Sequence, residues 1–485
     1  MVAFVTGMDN DAPPVKAAVH QLISLGIPFT GWQEQKLPSE FPENLDDFEG
    51  LVVDAARLRR TTPEERKRLE KFAKEHYVHI IPEYYLQLSS SECDMRFEVD
   101  FHIFAASSGI SRPGMTEISE ETILKEYFKL AEDYIKNIGE STFFNEYHLH
   151  FTASILEVEH LKAAPESLSS KIDSIWLPMA DCVHAPVDGD LIGAWMVAPI
   201  AAKRTGNRLF LDRTLAAAND VLARWPRSNV GLLSPGGFSD DPLFFSHMDS
   251  CFFGETRSTN SRRDLHMNEQ LHYVGAAFPA LSMASGDHRF LNEAVRLMNY
   301  IDKVHRDPAD GLLFHASRAG KPLGAKWGRG LSHALMGVFY MLRWSPNLPE
   351  DIVSSAIHFL DRTGRALVRF QTSNGFWRNV IDREDTPEET SCTVLFTYIF
   401  AYGVNHGWFD RSIYLRMIQK SRSALCRKFW RGRGSGDCRG TYPSPDLYYY
   451  LGRPFTIYVM PLIAPAFLEA DRLLGAKQAD GAEEK

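Results

Sequence analysis

The chain is written in two patterns of apolar spacing. The clearest stripe falls at Met267, Leu271, Val274, Phe278 and Leu281, and such spacing predicts one buried helix face over 264–285. From about residue 120 similar stripes follow one another without strands between them. They predict helices at 120–138, 145–163, 189–204, 207–225, 264–285, 287–305, 330–343, 349–370, 389–406, 411–429 and 456–474. Before residue 110 the pattern differs. VAFVTG (2–7), IPFTGW (27–32), GLVVDA (50–55) and VHIIPEY (78–84) read as strands, with a helical stripe over 13–25 between the first two. A further helix spans 62–76, where Thr62 caps, Pro63 takes the first position, acids lead and bases trail. Strands alternating with helices predict a small doubly wound α/β module. The Ser- and Gly-rich stretch 86–119 reads as a connection, so the expected domains are 1–110 and 111–485.

Two helix connections rhyme. PIAAKRTGNRLFL (199–211) matches PALSMASGDHRFL (279–291): Gly206 or Gly286 ends one helix, and Asn207 or Asp287 caps the next. Asn405-His-Gly-Trp-Phe-Asp410 is a looser third copy. Repeated helical hairpins, about twelve helices in all, fit a mainly α chain folded as an (α/α)6 toroid whose inner helices begin around a central cavity.

Composition narrows the partner. The 485 residues are 44% hydrophobic and 24% charged, enough for one large domain plus a smaller one. A net charge of −9 argues against nucleic acid or an anionic membrane as the main partner. It leaves room for an anionic small substrate held by a few Arg or His residues. The six cysteines, at 93, 182, 251, 392, 426 and 438, form no CxxC pair, so neither a zinc site nor a disulfide framework is expected. Cys392, in an apolar run, reads as core. No metal-ligand spacing or cofactor fingerprint is present, and the loop TGMDNDAPP (6–14) lacks GxGxxG and Walker patterns. The α/β module is therefore expected to serve packing or homo-oligomerisation. The N-terminus has no secretory pattern and no apolar run is long enough to span a bilayer, so a cytoplasmic location is expected.

The unusual residues lie between the helices. Segment 164–188 carries Trp176, Asp181 and His184; 306–329 carries Asp310, His315, Trp327 and Arg329; 371–388 carries Trp377, Arg378, Asp382 and Asp385; 430–455 carries Tyr448 to Tyr450 and Arg453. Aromatic faces stack on sugar rings and Arg forks bind carboxylates, so loops of this kind at one mouth of a toroid suit an acidic sugar. Asp264, at the predicted start of helix 264–285, sits where the helix dipole favours an anion. An Asp at such a place usually serves as a cap.

Five segments in order resemble the unsaturated glucuronyl and rhamnogalacturonyl hydrolases of glycoside hydrolase families 88 and 105. They are Asp190-Leu-Ile-Gly-Ala; Asp264-Leu-His-Met-Asn; Asp310-Gly-Leu-Leu-Phe-His315 with Lys326-Trp-Gly-Arg-Gly330; Asn374-Gly-Phe-Trp-Arg-Asn-Val-Ile-Asp382 with Glu388-Glu-Thr-Ser-Cys-Thr; and Cys438-Arg-Gly-Thr441 with Tyr448-Tyr-Tyr and Arg453-Pro454. The resemblance covers roughly 185–475 and leaves the N-terminal module outside. It implies an (α/α)6 barrel and hydration of the C4=C5 bond of a 4,5-unsaturated uronic acid at the end of an oligosaccharide. Asp264 matches the acid/base, and Asp190 the second carboxylate that keeps it protonated by like-charge repulsion. His315, Trp327 and Arg329 match residues around the reacting sugar, with Arg329 suited to the uronate carboxylate. The family often has a Trp shortly after WxRG, where this chain has Gly330-Leu-Ser-His333. His333 and Trp377 complete the substrate-binding candidates. Neither cofactor nor metal is implied. Two other readings stand beside this one: a glycosidase of the same fold cleaving saturated uronides with two carboxylates, and a non-catalytic sugar-binding barrel, which the presence of both aspartates counts against.

Overall fold

The computed structural model describes residues 2–24, 29–30, 37–81, 120–137, 146–161, 163–169, 171–181, 183, 192–234, 264–386, 388–427, 429–430, 433–434, 443, 447, 450 and 461–480. Near the N-terminus β1 (Val2–Val5), β2 (Gly50–Asp54) and β3 (Tyr77–Ile81) form a parallel sheet in that order. Of the strand expected over 27–32, Phe29 is described and bridges Val2 on the other edge of β1. Successive residues of β1 face opposite sides. Val2 and Phe4 pack with Val15, Ala18 and Leu22 of α1 (Pro13–Ser24). Ala3 and Val5 share a second cluster with Phe72. Asp54, at the end of β2, caps α2 (Ala55–Arg59) by accepting from the Arg57 N–H at 2.8 Å. It also accepts from the N–H groups of Gly7 at 2.5 Å and Met8 at 3.4 Å. In an open α/β sheet, donors beyond the strand ends are where an anionic ligand would bind; here they meet the chain's own carboxylate. Phe72 lies on α3 (Pro63–Glu75), which begins with the predicted Thr62 cap and a reciprocal bond from Glu65.

The helices that follow alternate in character. Amphipathic α4 (Glu120–Asn137) precedes the interior helix α5 (Glu146–His160). α6 (Trp176–Asp181) lies inside a segment the apolar pattern leaves as loop; Trp176 is buried there and Asp181 pairs with Arg213. A 3-10 segment, Gly193–Val197, leads into α7 (Ala198–Thr205), and α8 (Leu209–Arg224) follows. Then come α9 (Asn268–Ser285), α10 (His288–Val304), α11 (Gly328–Trp344), α12 (Glu350–Phe370), α13 (Thr390–Asn405), α14 (Arg411–Arg427) and α15 (Ile463–Asp480). In α10 only one stripe is buried, including Phe290, Ala294, Leu297 and Ile301. In α11 every residue from Gly328 to Met341 is buried, and in α13 every residue from Thr390 to Gly403. A helix apolar all round belongs in an interior. The interior elements touch in a closed circuit, from 193–197 through α9, α11, α13, α15 and α5 back to 193–197. The outer helices α4, α6, α8, α10, α12 and α14 surround them. This is an (α/α)6 barrel. No helix among the described residues is long and apolar enough to cross a membrane.

The rhyming turns lie at one end. Gly206, Gly286 and Gly407 take φ of 71°, 76° and 72°. Asn207, Asp287 and Asp410 accept from the N–H two residues on, at 2.9, 3.0 and 2.8 Å. The other end has its own repeat. After α8, α10 and α12 the chain turns tightly, with closing bonds Ser228 N–H to Leu232 O, Asp307 N–H to Leu312 O and Thr372 N–H to Phe376 O at 2.8, 2.8 and 2.9 Å. A glycine at positive φ, Gly231, Gly311 or Gly375, sits in each.

Two departures bear on the site. The helix predicted from 264 begins at Asn268, because Leu265–Met267 is strand β4. It pairs antiparallel with β5 (Ala316–Arg318), which pairs with β6 (Lys321–Leu323). Short strands therefore persist after residue 120. Also, α9 and α11 cross at glycines. A methyl on Gly337 would overlap the Leu271 carbonyl, and one on Gly275 would stand 3.1 Å from the Gly337 oxygen. Bare backbone at the crossing sets the first turns of α9 and α11 side by side.

Candidate active site

Each tight turn after an outer helix is tied to the segment just before the next inner helix. Asp264 accepts from the Asn229 backbone N–H at 2.8 Å and from its side-chain amide at 2.6 Å. Lys326 is gripped by Asp307 at 2.7 Å, Asp382 at 3.1 Å and Asp310. Burial works against the Lys326 charge, but these carboxylates outweigh it and hold its pKa above the ordinary value. Thr372 donates to Glu388 at 2.6 Å. Asp264, Lys326 and Glu388 thus do the same job in successive repeats. Asp310 and Asp382, which the sequence suggests for a sugar pocket, anchor the chain beside Trp327.

Just inside these ties, the second residues of α9, α11 and α13 are Glu269, Arg329 and Ser391. Glu269 is the exception in its helix: every other residue from Asn268 to Ser282 is buried, whereas its side chain is 13% exposed. Solvent therefore touches the start of α9 at this side chain. Its Oε1 lies 2.9 Å from Nε2 of His315, and Nδ1 of His315 lies 2.9 Å from the hydroxyl of Tyr450. Both His315 and Tyr450 are fully buried. Burial pushes the Glu269 carboxyl up; the charge and hydrogen bond of His315, with His333 beyond, outweigh it and hold the group below its usual range.

The backbone that aims these groups is over-determined. The Asn268 N–H donates to the His315 carbonyl at 3.1 Å, and the Asn268 amide donates to the Phe314 carbonyl at 3.1 Å. His305 lies between Asn268 Oδ1 at 2.8 Å and Ser317 Oγ at 3.0 Å. Burial, with His266 and His315 adding, pushes the His305 pKa down to about 3, so it serves as a neutral spacer. Gly330 leaves room for Trp327 to fold back over α11: a Cβ there would lie 2.5 Å from the indole and 3.1 Å from His315. Trp327 meets His315 at 4.7 Å between ring centroids and presents its edge to His333 at 6.2 Å. Beneath, His333 stacks on His272 at 4.8 Å, and His272 lies tilted against His150 at 4.9 Å.

The sequence candidates divide accordingly. His315, Trp327 and His333 are in contact, and Arg329 is buried in the same turn of α11. Asp264 lies outside this cluster, partly exposed and bound by Asn229. Asp190 lies outside the described residues, as do Cys438 and Arg453. Trp377 lies in the core. It is fully buried against Phe396 at 5.2 Å, and its indole N–H donates to the Leu367 carbonyl at 2.9 Å. The pairing of β7 (Trp377–Arg378) with β8 (Glu388–Glu389) turns it into the core. Glu269 was not among the candidates. Its signal was visible as the single charged residue of helix 268–285. Among the described residues no group of three or more His, Cys, Asp or Glu is placed to hold a metal ion.

Residues 274–457 match the profile of Glycosyl Hydrolase Family 88. No curated protein matches the chain. The fold is similar to a possible glycoside hydrolase family 105 member from Salmonella enterica serovar Paratyphi A, with TM-score 0.60, 15% identity, and coverage of 76% of this chain and 97% of that one. It is also similar to a family 105 glycoside hydrolase from C. acetobutylicum ATCC 824, with TM-score 0.56, 16% identity and coverage of 72% and 99%. A third similar structure is an unsaturated glucuronyl hydrolase specific for heparin, with TM-score 0.51, 13% identity and coverage of 74% and 98%. The barrel thus has the fold of these glycoside hydrolases, and its segment 274–457 is similar to Glycosyl Hydrolase Family 88.

Proposed function

We propose that the barrel removes a 4,5-unsaturated uronic acid from the non-reducing end of short acidic oligosaccharides. In this reading 111–485 is the catalytic domain and 1–110 an accessory module. A proton adds to C4, water adds to C5, and the resulting hemiketal opens and releases the neighbouring sugar. The resemblance gives Asp264 the acid/base role and Asp190 the supporting one; Arg329 holds the uronate carboxylate, and His315, Trp327 and His333 surround the ring. The observation that carries the reading is the first turn of α9, where Glu269 is the one part-exposed residue between Asn268 and Ser282. There a carboxylate, a buried Arg and a cluster of His and Trp side chains meet at the starts of two inner helices. The glucuronyl hydrolase among the similar structures favours the unsaturated over the saturated uronide.

Incubation with lyase-generated unsaturated disaccharides tests it. Steady loss of the ultraviolet absorbance of the conjugated double bond is expected. Release of a saturated uronic acid from saturated oligosaccharides, with that absorbance untouched, would replace this reading with direct glycosidic hydrolysis.

A further inference from the structure

Resting on that reading for substrate and reaction and departing from it in one role, we propose that Glu269 rather than Asp264 is the general base of the site, taking a proton from the attacking water while Asp264 keeps the acid's part, and that Tyr450 is a positioning residue acting through His315. The repeat is the first reason. Asp264, four residues before α9, makes the same kind of tie to the preceding turn as Lys326 and Glu388, each two residues before its helix. Glu269 stands where the neighbouring repeats place Arg329 and Ser391, in the first turn of the helix itself.

The second reason is a set of unmade hydrogen bonds. Oε2 of Glu269 and Nε1 of Trp327 are buried polar atoms with no partner among the described residues. They flank the same imidazole, one on α9 and one just before α11. A buried acceptor or donor left unpaired costs about 1–3 kcal/mol. An acceptor and a donor on either side of His315 suit a water or a sugar hydroxyl.

The third reason is the chain Glu269–His315–Tyr450. A hydroxyl both donates and accepts. Tyr450 donates to Nδ1 when His315 is neutral and accepts from it when His315 is charged, so His315 keeps both contacts in either state. Gly324, at φ +87°, makes this possible, because a side chain there would collide with the Tyr450 hydroxyl. In the hydration step the proton of Asp264 goes to C4, the water oxygen bonds to C5 as the C4=C5 π bond is lost, and the water's proton goes to Glu269. The acid loses one proton, the base gains one, and exchange with solvent restores both.

The test is kcat and KM against pH on the unsaturated disaccharide, with thermal unfolding of each variant. Glu269→Gln is expected to lower kcat by about 10²–10⁴-fold with KM little changed, and to erase the acid limb of the profile. Glu269→Asp keeps part of the rate and the limb. Tyr450→Phe lowers kcat by about tenfold and displaces the acid limb, which a role in packing alone would not do. A Glu269→Gln protein with wild-type kcat and an unmoved acid limb, whatever its melting temperature, overturns the proposal while leaving the function standing. If the wild type turns over only saturated uronides, the function reading fails and the same variants decide the role of Glu269 on that substrate. A wild type inactive on both removes both.

Discussion

Where the inner helices finish, two glutamates are buried as deeply as any side chain in the barrel. Glu157 meets Arg343 at 3.0 Å, and Glu469 accepts from Asn405 at 2.6 Å; both residues are 0% exposed. Burial raises both pKa values above the ordinary range, against the opposing effect of Arg343 on Glu157 and of the Asn405 bond on Glu469. Where the inner helices begin, Glu269 is slightly exposed and paired with an imidazole, and its pKa is lowered. The same side chain is thus held towards its neutral form at one end and its charged form at the other. The difference lies in whether the neighbours outweigh burial. The charge and hydrogen bond of His315, with His333, do so for Glu269, whereas Arg343 at Glu157, and Arg472 and Arg343 at Glu469, do not. Charge is stabilised where the inner helices begin and resisted where they finish.

The largest blow to this contrast removes the crossing that supports both ends. Gly337→Ala forces a methyl into the Leu271 carbonyl. Overpacking against backbone cannot be relieved by a rotamer change, so a loss of about 3 kcal/mol is expected, seen as a lower unfolding midpoint in urea. An unchanged midpoint would mean that α9 and α11 do not touch there.

Next in size is a pair of charge removals. Lys326→Met leaves Asp307, Asp310 and Asp382 without their common cation and frees the chain beside Trp327. About 2 kcal/mol of stability is expected to go, since the partners are part-exposed, with more than a tenfold loss of kcat. Arg343→Met, at the closed end, is expected to destabilise by a similar or larger amount, about 3 kcal/mol, and leave kcat unchanged in the folded fraction. Equal effects of the two variants on kcat would erase the functional distinction between the ends.

What the sequence disclosed follows the same division. The inner helices and all the outer ones but α6 were legible because each carries a 3.6-residue stripe or is apolar all round; the six residues of α6 are too few to show a period. The closed end was legible too, since Gly206, Gly286 and Gly407 recur with a capping residue close behind. At the open end, His315, Trp327 and Arg329 were visible through the family resemblance, and the register of β4 on β5 is what brings His315 to Asn268. That register is a long-range pairing of three residues, which no local pattern encodes. Glu269 escaped for a related reason. An acid in a first helical turn is favoured by the dipole whatever its use, and its partner lies 46 positions away. Trp377 misled because an aromatic beside a turn reads alike whether it faces sugar or core. The repeat Gly231, Gly311, Gly375 escaped because the turn at 307–312 is one residue longer than the other two.

The smallest effect is the sharpest test of the comparison, because the two ends predict opposite signs. Glu469 has a folded pKa above its ordinary value of 4.5. The folded state therefore binds its proton more tightly than the unfolded chain, and the associated stability is present below that value and lost as pH rises through the folded pKa. Glu469→Gln stays neutral at every pH. The variant is expected to match the wild type near pH 4 and to melt higher at pH 8. Glu269 has a folded pKa below its ordinary 4.5, so its stability is present above that value and lost as pH falls. Glu269→Gln is expected to melt lower than the wild type at pH 8, with the gap closing in acid. His305 adds a background common to all variants, because a histidine buried neutral must be charged on unfolding, and stability falls for every chain between about pH 6.5 and 3. Differences between variant and wild type remove that background. Melting curves at pH 4, 6 and 8 in which both glutamine variants move in the same direction would show that the two carboxylates are held in the same charge state, and that the partners at the two ends do not set them apart.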